Sequence, residues 1–144
     1  MPVFVDTNVL VYARDASEPD KQARAHEWMR HLWETETGRL SVQVLEEYYV
    51  TVTGKLRPGL SRQQARADIE DLVAWRPVQI DEGILDAAWS IEDRFGLSFW
   101  DALVVAAAHD AGCAFLLTED LKHGADLDGV KVADPFRTPV GSIV

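Results

Sequence analysis

The stretch "VFVDTNVLVYA", residues 3–13, runs from apolar chain into a carboxylate at Asp6, then Thr7 and Asn8, then apolar chain again. Val3 to Val5 reads as a short, fully buried strand, and the segment from Asn8 to Ala13 begins a helix, with Asp6, Thr7 or Asn8 near its cap. An aspartate at such a junction is a helix cap, a turn former or a ligand for something positive. Nothing inside the stretch separates these roles, so the rest of the chain has to.

Downstream, apolar Ala25, Trp28, Met29, Leu32 and Trp33 recur at three- and four-residue steps and predict an amphipathic helix over 21–33. Leu40 and Ser41 read as a short strand. Helical spacing of Val44, Leu45, Tyr48, Tyr49 and Val52 then runs up to a glycine stop. Ser61 and Gln64 form a capping-box pattern ahead of a helix that buries Ile69, Leu72 and Val73. "RPVQI" reads as a strand, Asp81 as the cap of a helix, and Ser98 as the cap of "SFWDALVVAAAHDAG", a helix apolar on most sides that ends at Gly112. "CAFLLT" and "VKVADPF" are the last strands, the second closed by proline. Strands separated by helices predict an α/β fold whose mostly parallel sheet carries helices on both faces. Ligands of such folds sit beyond the carboxyl ends of the strands, and Asp6 and Asp120 both fall just past one, so they are expected to share a crevice.

At 144 residues and 47% hydrophobic content, the chain is expected to be one domain, 1–144, with a continuous core. The longest apolar run, Ala102 to Ala108, is too short to span a bilayer, and the first residues lack a signal-peptide pattern, which predicts a cytoplasmic protein without membrane contact. The single cysteine, Cys113, lies in an apolar run and reads as a buried, inert thiol. With 14 Lys and Arg against 24 Asp and Glu, the net charge of −10 repels polyanions at long range. An acidic total also arises where several carboxylates converge on one cation, which then inverts the local field.

The carboxylates divide unevenly between ordinary and functional roles. Asp101 fits an acidic capping box with Ser98 and complements the helix dipole, yet Trp100 before it and "ALVVAAA" after it make its surroundings apolar. Burial there makes ionisation costly without a positive partner. Glu46 and Glu47 point about 100° apart on one helix, so they cannot both face one site, and periodicity does not choose between them. Glu119 and Asp120 pose the same ambiguity after the "FLLT" strand. Taken together, acids at a first strand end, in an early helix, at the start of the most buried helix and after a late strand would make a site for Mg²⁺ or Mn²⁺, which take oxygen ligands.

The order of "VFVDTNVLVYA", "LSVQVLEEYY", "LSFWDALVVAAAHDAGC", "LLTEDLKHG" and "GVKVADPF" resembles the PIN domain, and within it the VapC-type toxins of bacterial toxin-antitoxin pairs. The resemblance implies a three-layer α/β/α fold and a metal-dependent endoribonuclease. It places the family's acidic cluster on Asp6, Glu47, Asp101 and Asp120, with Asp6, Asp101 and Asp120 as metal ligands for Mg²⁺, or Mn²⁺ in its stead. Thr7, Asn8 and Thr118 match polar positions that support the cluster, Asn8 by donating its amide hydrogens to Asp6. The family pattern favours Glu47 over Glu46 and Asp120 over Glu119. It further implies an RNA substrate, a homodimer, and a small antitoxin that enters a groove beside the active site with a basic side chain. Trp28, Trp33 and Tyr49 are candidates to line those interfaces, and Arg14, Lys21, Arg24 or Lys122 to guide RNA. His109 and His123 read as a helix-face and a turn residue that the chemistry does not need. The alternatives are an acidic α/β phosphatase or phospho-acceptor domain, although "DTN" lacks the second acid that haloacid-dehalogenase-like phosphatases use, and a catalytically degenerate interaction module.

Overall fold

A computed structural model describes residues 1–143; Val144, the last residue of the expected domain, lies outside them. The chain opens with strand β1 (Val3–Val5), all three residues buried, and turns directly into helix α1 (Thr7–Tyr12). Asp6 makes that turn possible. Its backbone is extended, and its carboxylate accepts the Thr7 N–H at 2.7 Å, occupying one of the donors that a helix start leaves unpaired.

Helix α2 (Pro19–Thr35) buries Ala25, Trp28 and Leu32 and ends on Glu36 in the left-handed conformation. Strand β2 is Gly38–Arg39, two residues earlier than the Leu40–Ser41 the sequence suggests. Ser41 instead caps helix α3 (Val42–Gly54), which stops at the glycine as expected. Helix α4 (Arg62–Leu72) starts with the full Ser61–Gln64 capping box and runs into a single 3-10 turn over Val73–Trp75. "RPVQI" is not a strand. It makes an isolated parallel bridge, Val78 to Ser41, with the Val78 N–H on the Leu40 carbonyl and the Val78 carbonyl accepting the Val42 N–H. Helices α5 (Glu82–Phe95), capped by Asp81, and α6 (Phe99–Asp110), capped by Ser98, follow. Strand β3 (Phe115–Leu117), strand β4 (Asp126–Leu127) and strand β5 (Val130–Ala133) complete the sheet.

The strand order is β2-β1-β3-β5-β4, with β1, β2, β3 and β5 parallel and β4 antiparallel to β5. β4 has no counterpart among the sequence-predicted strands, since two residues carry no periodicity; Gly129, at φ 89°, turns the chain back from it into β5. Helices cover both faces of the sheet. α1 packs on α2 and α3, and α3 on α4, whereas α5 and α6 pack on each other and α6 on β3 and β5. That sandwiching explains why Ala102 to Ala108 are all buried, and one apolar cluster joins them to β1, β3 and the inner faces of α2 and α3. No helix among the described residues is long and apolar enough to cross a membrane.

Cys113 is free, buried behind α6, and burial pushes its thiol up to about 12. The thiolate is the reactive form, so a thiol reagent at pH 8 is expected to leave native protein unlabelled and to label it fully in denaturant. Rapid labelling of the folded protein would contradict this packing.

Candidate active site

Parallel sheets open a crevice where successive connections leave in opposite directions, and here that point lies between β1 and β3, with β2 on one side and β5 on the other. Asp6 follows β1 and Thr118 follows β3, in register through the Val5–Leu117 pair. The Asp6 N–H bonds to the Leu117 carbonyl at 3.0 Å, which ties the two strand ends together at the floor of the crevice.

The polar groups around Asp6 form one network. Thr118 Oγ1 donates to Asp6 Oδ2 at 2.9 Å. Asn8 Nδ2 lies 3.0 Å from Asp120 Oδ2, 2.9 Å from Thr118 Oγ1 and 3.4 Å from Asp6 Oδ2. Asp120 N–H in turn donates to Thr118 Oγ1 at 3.1 Å. From α3, Glu47 Oε2 accepts the Thr7 hydroxyl at 2.9 Å, and its Oε1 accepts Gln43 Nε2 at 3.0 Å. Asp101 enters from α6, its N–H on Ser98 Oγ and its carboxylate close enough that its charge raises Asp120. Hydrogen bonds thus link three carboxylates, Asp6, Glu47 and Asp120, while Asp101 acts on Asp120 through its charge. Thr7, Asn8 and Thr118 link Asp6, Glu47 and Asp120, and Asn8 lies closer to Asp120 and Thr118 than to Asp6.

The same geometry separates the paired acids. Glu47 is half-buried and doubly bonded, while Glu46 is exposed at the rim. Glu119 is held by other partners: its Oε1 accepts the Tyr12 hydroxyl at 2.7 Å and its Oε2 accepts Lys21 Nζ at 2.9 Å, with the ammonium over the Tyr12 and Phe136 rings. That lysine pairs with Glu119, while Asp120 bonds Asn8 of the network.

Crowded carboxylates cannot all ionise freely. Burial raises the Asp6 carboxyl from 3.8 to about 6; bonds from Thr118 and Thr7 oppose the rise, and the charges of Asp120 and Glu47 add to it. Asp120 is raised for the same reasons, burial first, then the charges of Glu119, Asp101 and Glu47. A positive charge among these groups would relieve all of them. The donors are carboxylate and amide oxygens, without thiol or imidazole, the set that suits Mg²⁺ or Mn²⁺. Among the described residues no three acids close into a ready-made coordination shell. Magnesium tolerates this, since it keeps several waters and takes one or two carboxylates directly. Gln43 Oε1 is buried without a hydrogen-bond partner, and its Nε2 bonds Glu47.

Thr7, Asn8, Tyr12, both Glu46 and Glu47, both Glu119 and Asp120, and Lys55 line a cleft of about 680 Å³, whereas Asp6 and Asp101 are not among its lining residues. Of the cations expected to guide RNA, Arg14 forks onto Asp68, Lys21 holds Glu119, and Arg24 bonds the Thr138 carbonyl at 3.1 Å and stands 3.8 Å from Glu27. Lys122 is exposed, and among the described residues neither it nor Lys55 forms an ion pair. His109 stands near Asp128 and His123 accepts the Asp134 N–H, both away from the network. Sequence reasoning overlooked Gln43, whose signal was its position one helical turn before Glu47, and the Lys21–Glu119–Tyr12 trio, which no local pattern announces.

The sequence profile of the PIN domain matches residues 3–125, which contain every member of this network. The chain belongs to the PIN domain family. No curated protein matches it by sequence. Among solved structures, this PIN domain is similar to FitAB bound to an IR36 DNA fragment, with a TM-score of 0.72 at 18% identity, covering 95% of this chain and 97% of that one. A toxin-antitoxin complex from Klebsiella pneumoniae gives a TM-score of 0.65 at 18% identity, over 94% and 98% of the two chains. VapC20 of Mycobacterium tuberculosis, described as a Sarcin-Ricin loop cleaving toxin, gives 0.61 at 22% identity over 82% and 91%. At these identities the likeness speaks to the fold. The family assignment also leaves no support for the phosphatase alternative, and the residue two positions after Asp6 is an amide donor, Asn8, in place of an acid.

Proposed function

We propose that this PIN domain, spanning 1–144, is a VapC-type toxin of the cytoplasm: a metal-dependent endoribonuclease restrained by a small antitoxin. The observation that supports the reading is the hydrogen-bond network in which Asn8 and Thr118 bridge Asp6 to Asp120 and Thr7 bonds Glu47, with the charge of Asp101 felt at Asp120. Asp6, Asp101 and Asp120 would hold the cation, Mg²⁺ or Mn²⁺. Bound there, it would supply positive charge to the scissile phosphate and acidify the attacking water. Glu47, fixed by Thr7 and Gln43, would take a proton from the attacking water. Thr118 and Asn8 hold the carboxylates of Asp6 and Asp120 in place. Lys55, on the wall of the same cleft, and exposed Lys122 are the cations left to meet the RNA backbone.

The test is cleavage of RNA by purified protein with Mg²⁺ or Mn²⁺, with and without chelator. Chelation is expected to abolish cleavage and an excess of metal to restore it. Undiminished cleavage in chelator would sink the metal mechanism. The two neighbouring acids give a sharper comparison. Asp120→Asn is expected to lower kcat about 100-fold, as loss of a group that interacts with the cation. Glu119→Gln, which only frees Lys21, should change it less than about tenfold. The reverse ranking would assign the role to Glu119.

A second cleft, of about 640 Å³, opens on the other side of α1 and is lined by Arg14, His26, Met29, Trp33, Asp68 and Leu72. Its mixed apolar and charged lining supports it as the seat of the antitoxin, and Trp33, 40% exposed, is an expected lining residue. Trp28 is not: it is fully buried, donating to the Pro135 carbonyl, because the last turns of chain close over it. Tyr49 is half-buried with the Arg66 guanidinium 5.9 Å from its ring centre. We also propose a homodimer, as in the family reading above. Co-purification with a small neighbouring protein, and light scattering of the complex, test both parts.

A further inference from the structure

Gln43 lies in the first turn of α3, only 6% exposed, between core residues and the carboxylate network. Its Nε2 reaches two acceptors at once, Glu47 Oε1 at 3.0 Å and the Trp100 carbonyl at 3.4 Å. Trp100 immediately precedes Asp101, in the first turn of α6. One buried amide therefore spans the two helices that carry Glu47 and Asp101, which come from distant parts of the chain. Both neighbours are acceptors, so the amide can be oriented in only one way, with nitrogen toward them. Its oxygen is then left without a partner although it is buried.

A polar side chain kept solely for packing would be expected to satisfy both ends, since an unmatched buried acceptor costs stability. At Gln43 the donor end is fully used, while the buried acceptor end has no partner. We infer that Gln43 is a positioning residue of the nuclease site: its nitrogen holds Glu47 against the start of α6, the helix that carries Asp101. The inference rests on the nuclease reading above. Residues of this kind orient the groups that touch the metal, and their loss usually costs about 10- to 100-fold in metal affinity or activity.

The experiment uses the full chain and two variants, Gln43→Leu, which removes both amide functions at similar volume, and Gln43→Glu, which keeps the shape but sets a second carboxylate against Glu47. Mn²⁺ binding is measured calorimetrically without RNA, kcat and KM on a defined RNA, and thermal stability alongside. Gln43→Leu is expected to weaken Mn²⁺ binding and lower kcat about 10- to 100-fold, with KM moved less than about threefold and the protein still folded. Gln43→Glu is expected to lose kcat at least as far, and it decides the matter should the leucine variant not fold. Wild-type Mn²⁺ binding and kcat in a folded variant, whatever its melting temperature, would reduce Gln43 to a packing residue and overturn the inference alone. Wild-type protein that neither binds Mn²⁺ nor cleaves RNA would overturn the nuclease reading and this inference with it.

Discussion

Asp6→Asn is expected to abolish most RNA cleavage and, in cation-free buffer at neutral pH, to make the protein more stable. The activity loss follows from charge. A metal-centred phosphoryl transfer draws several kcal/mol from the ion its carboxylates hold, and at about 1.4 kcal/mol per tenfold this predicts a fall of about 100- to 1,000-fold in kcat. The stability gain has the opposite origin. Asp6 is 6% exposed, and its carboxyl is raised from 3.8 to about 6, mainly by burial. Below pH 3.8 folded and unfolded chains both keep the proton. As pH rises from about 4 to 6 the unfolded chain gives it up first, so stability is lost across that window and stays lost above it. The full displacement corresponds to about 3 kcal/mol at neutral pH. Asparagine removes that penalty but points an amide nitrogen toward Asn8 or Thr118, which returns part of the gain. A rise of a few degrees in melting temperature is expected, together with a flatter stability profile between pH 4 and 6. Melting curves in chelator against pH, beside kcat in Mg²⁺, test both halves. A variant that cleaves like wild type, or one destabilised at pH 7, would mean that Asp6 is only the cap of α1.

Trp28→Ala is expected to destabilise the protein by about 3–5 kcal/mol, the range for truncating a large aromatic in a packed core. The indole is wholly enclosed, and its N–H donates to the Pro135 carbonyl at 3.1 Å. Arg24 bonds the same carbonyl and that of Thr138 from the next turn of α2. Removing the ring leaves a cavity under α2 and releases the chain after β5. Against a total of about 5–15 kcal/mol for a typical domain, this is a large fraction, and the melting temperature should fall by roughly 10 °C or more. Trp28→Phe keeps most of the volume and should recover most of the loss, lacking chiefly one hydrogen bond worth about 1 kcal/mol. Chemical denaturation of the three proteins gives the comparison. Near-wild-type stability for the alanine variant, with weakened partner binding, would restore Trp28 to an interface.

Several structural features are legible from local pattern. The caps at Ser61, Asp81 and Ser98, the buried run of α6, the strands flanking it and the placement of Asp6 and Asp120 past strand ends all follow from periodicity and short-range hydrogen bonding. Short elements are less legible. β4 and the bridge at Val78 each involve one or two residues, too few for a period to appear, and only their neighbours in the sheet define them. Surface and core tryptophans were also indistinguishable by spacing, since Trp28 and Trp33 belong to one amphipathic helix.

For Asp6 in "VFVDTNVLVYA", the sequence by itself determined that a buried strand hands a carboxylate to a helix start, because a three-residue apolar run and a capping side chain act within a few residues. That aspartate caps α1 through one oxygen and accepts Thr118 through the other. Which acids face it was decided only in three dimensions. Glu47 and Glu46 differ by a rotation of the helix, and Glu119 and Asp120 by which of them meets Lys21, a residue 98 positions away in the chain. Contacts of that span depend on the packing of α2 and α3 against the sheet, and no local property of the chain encodes them.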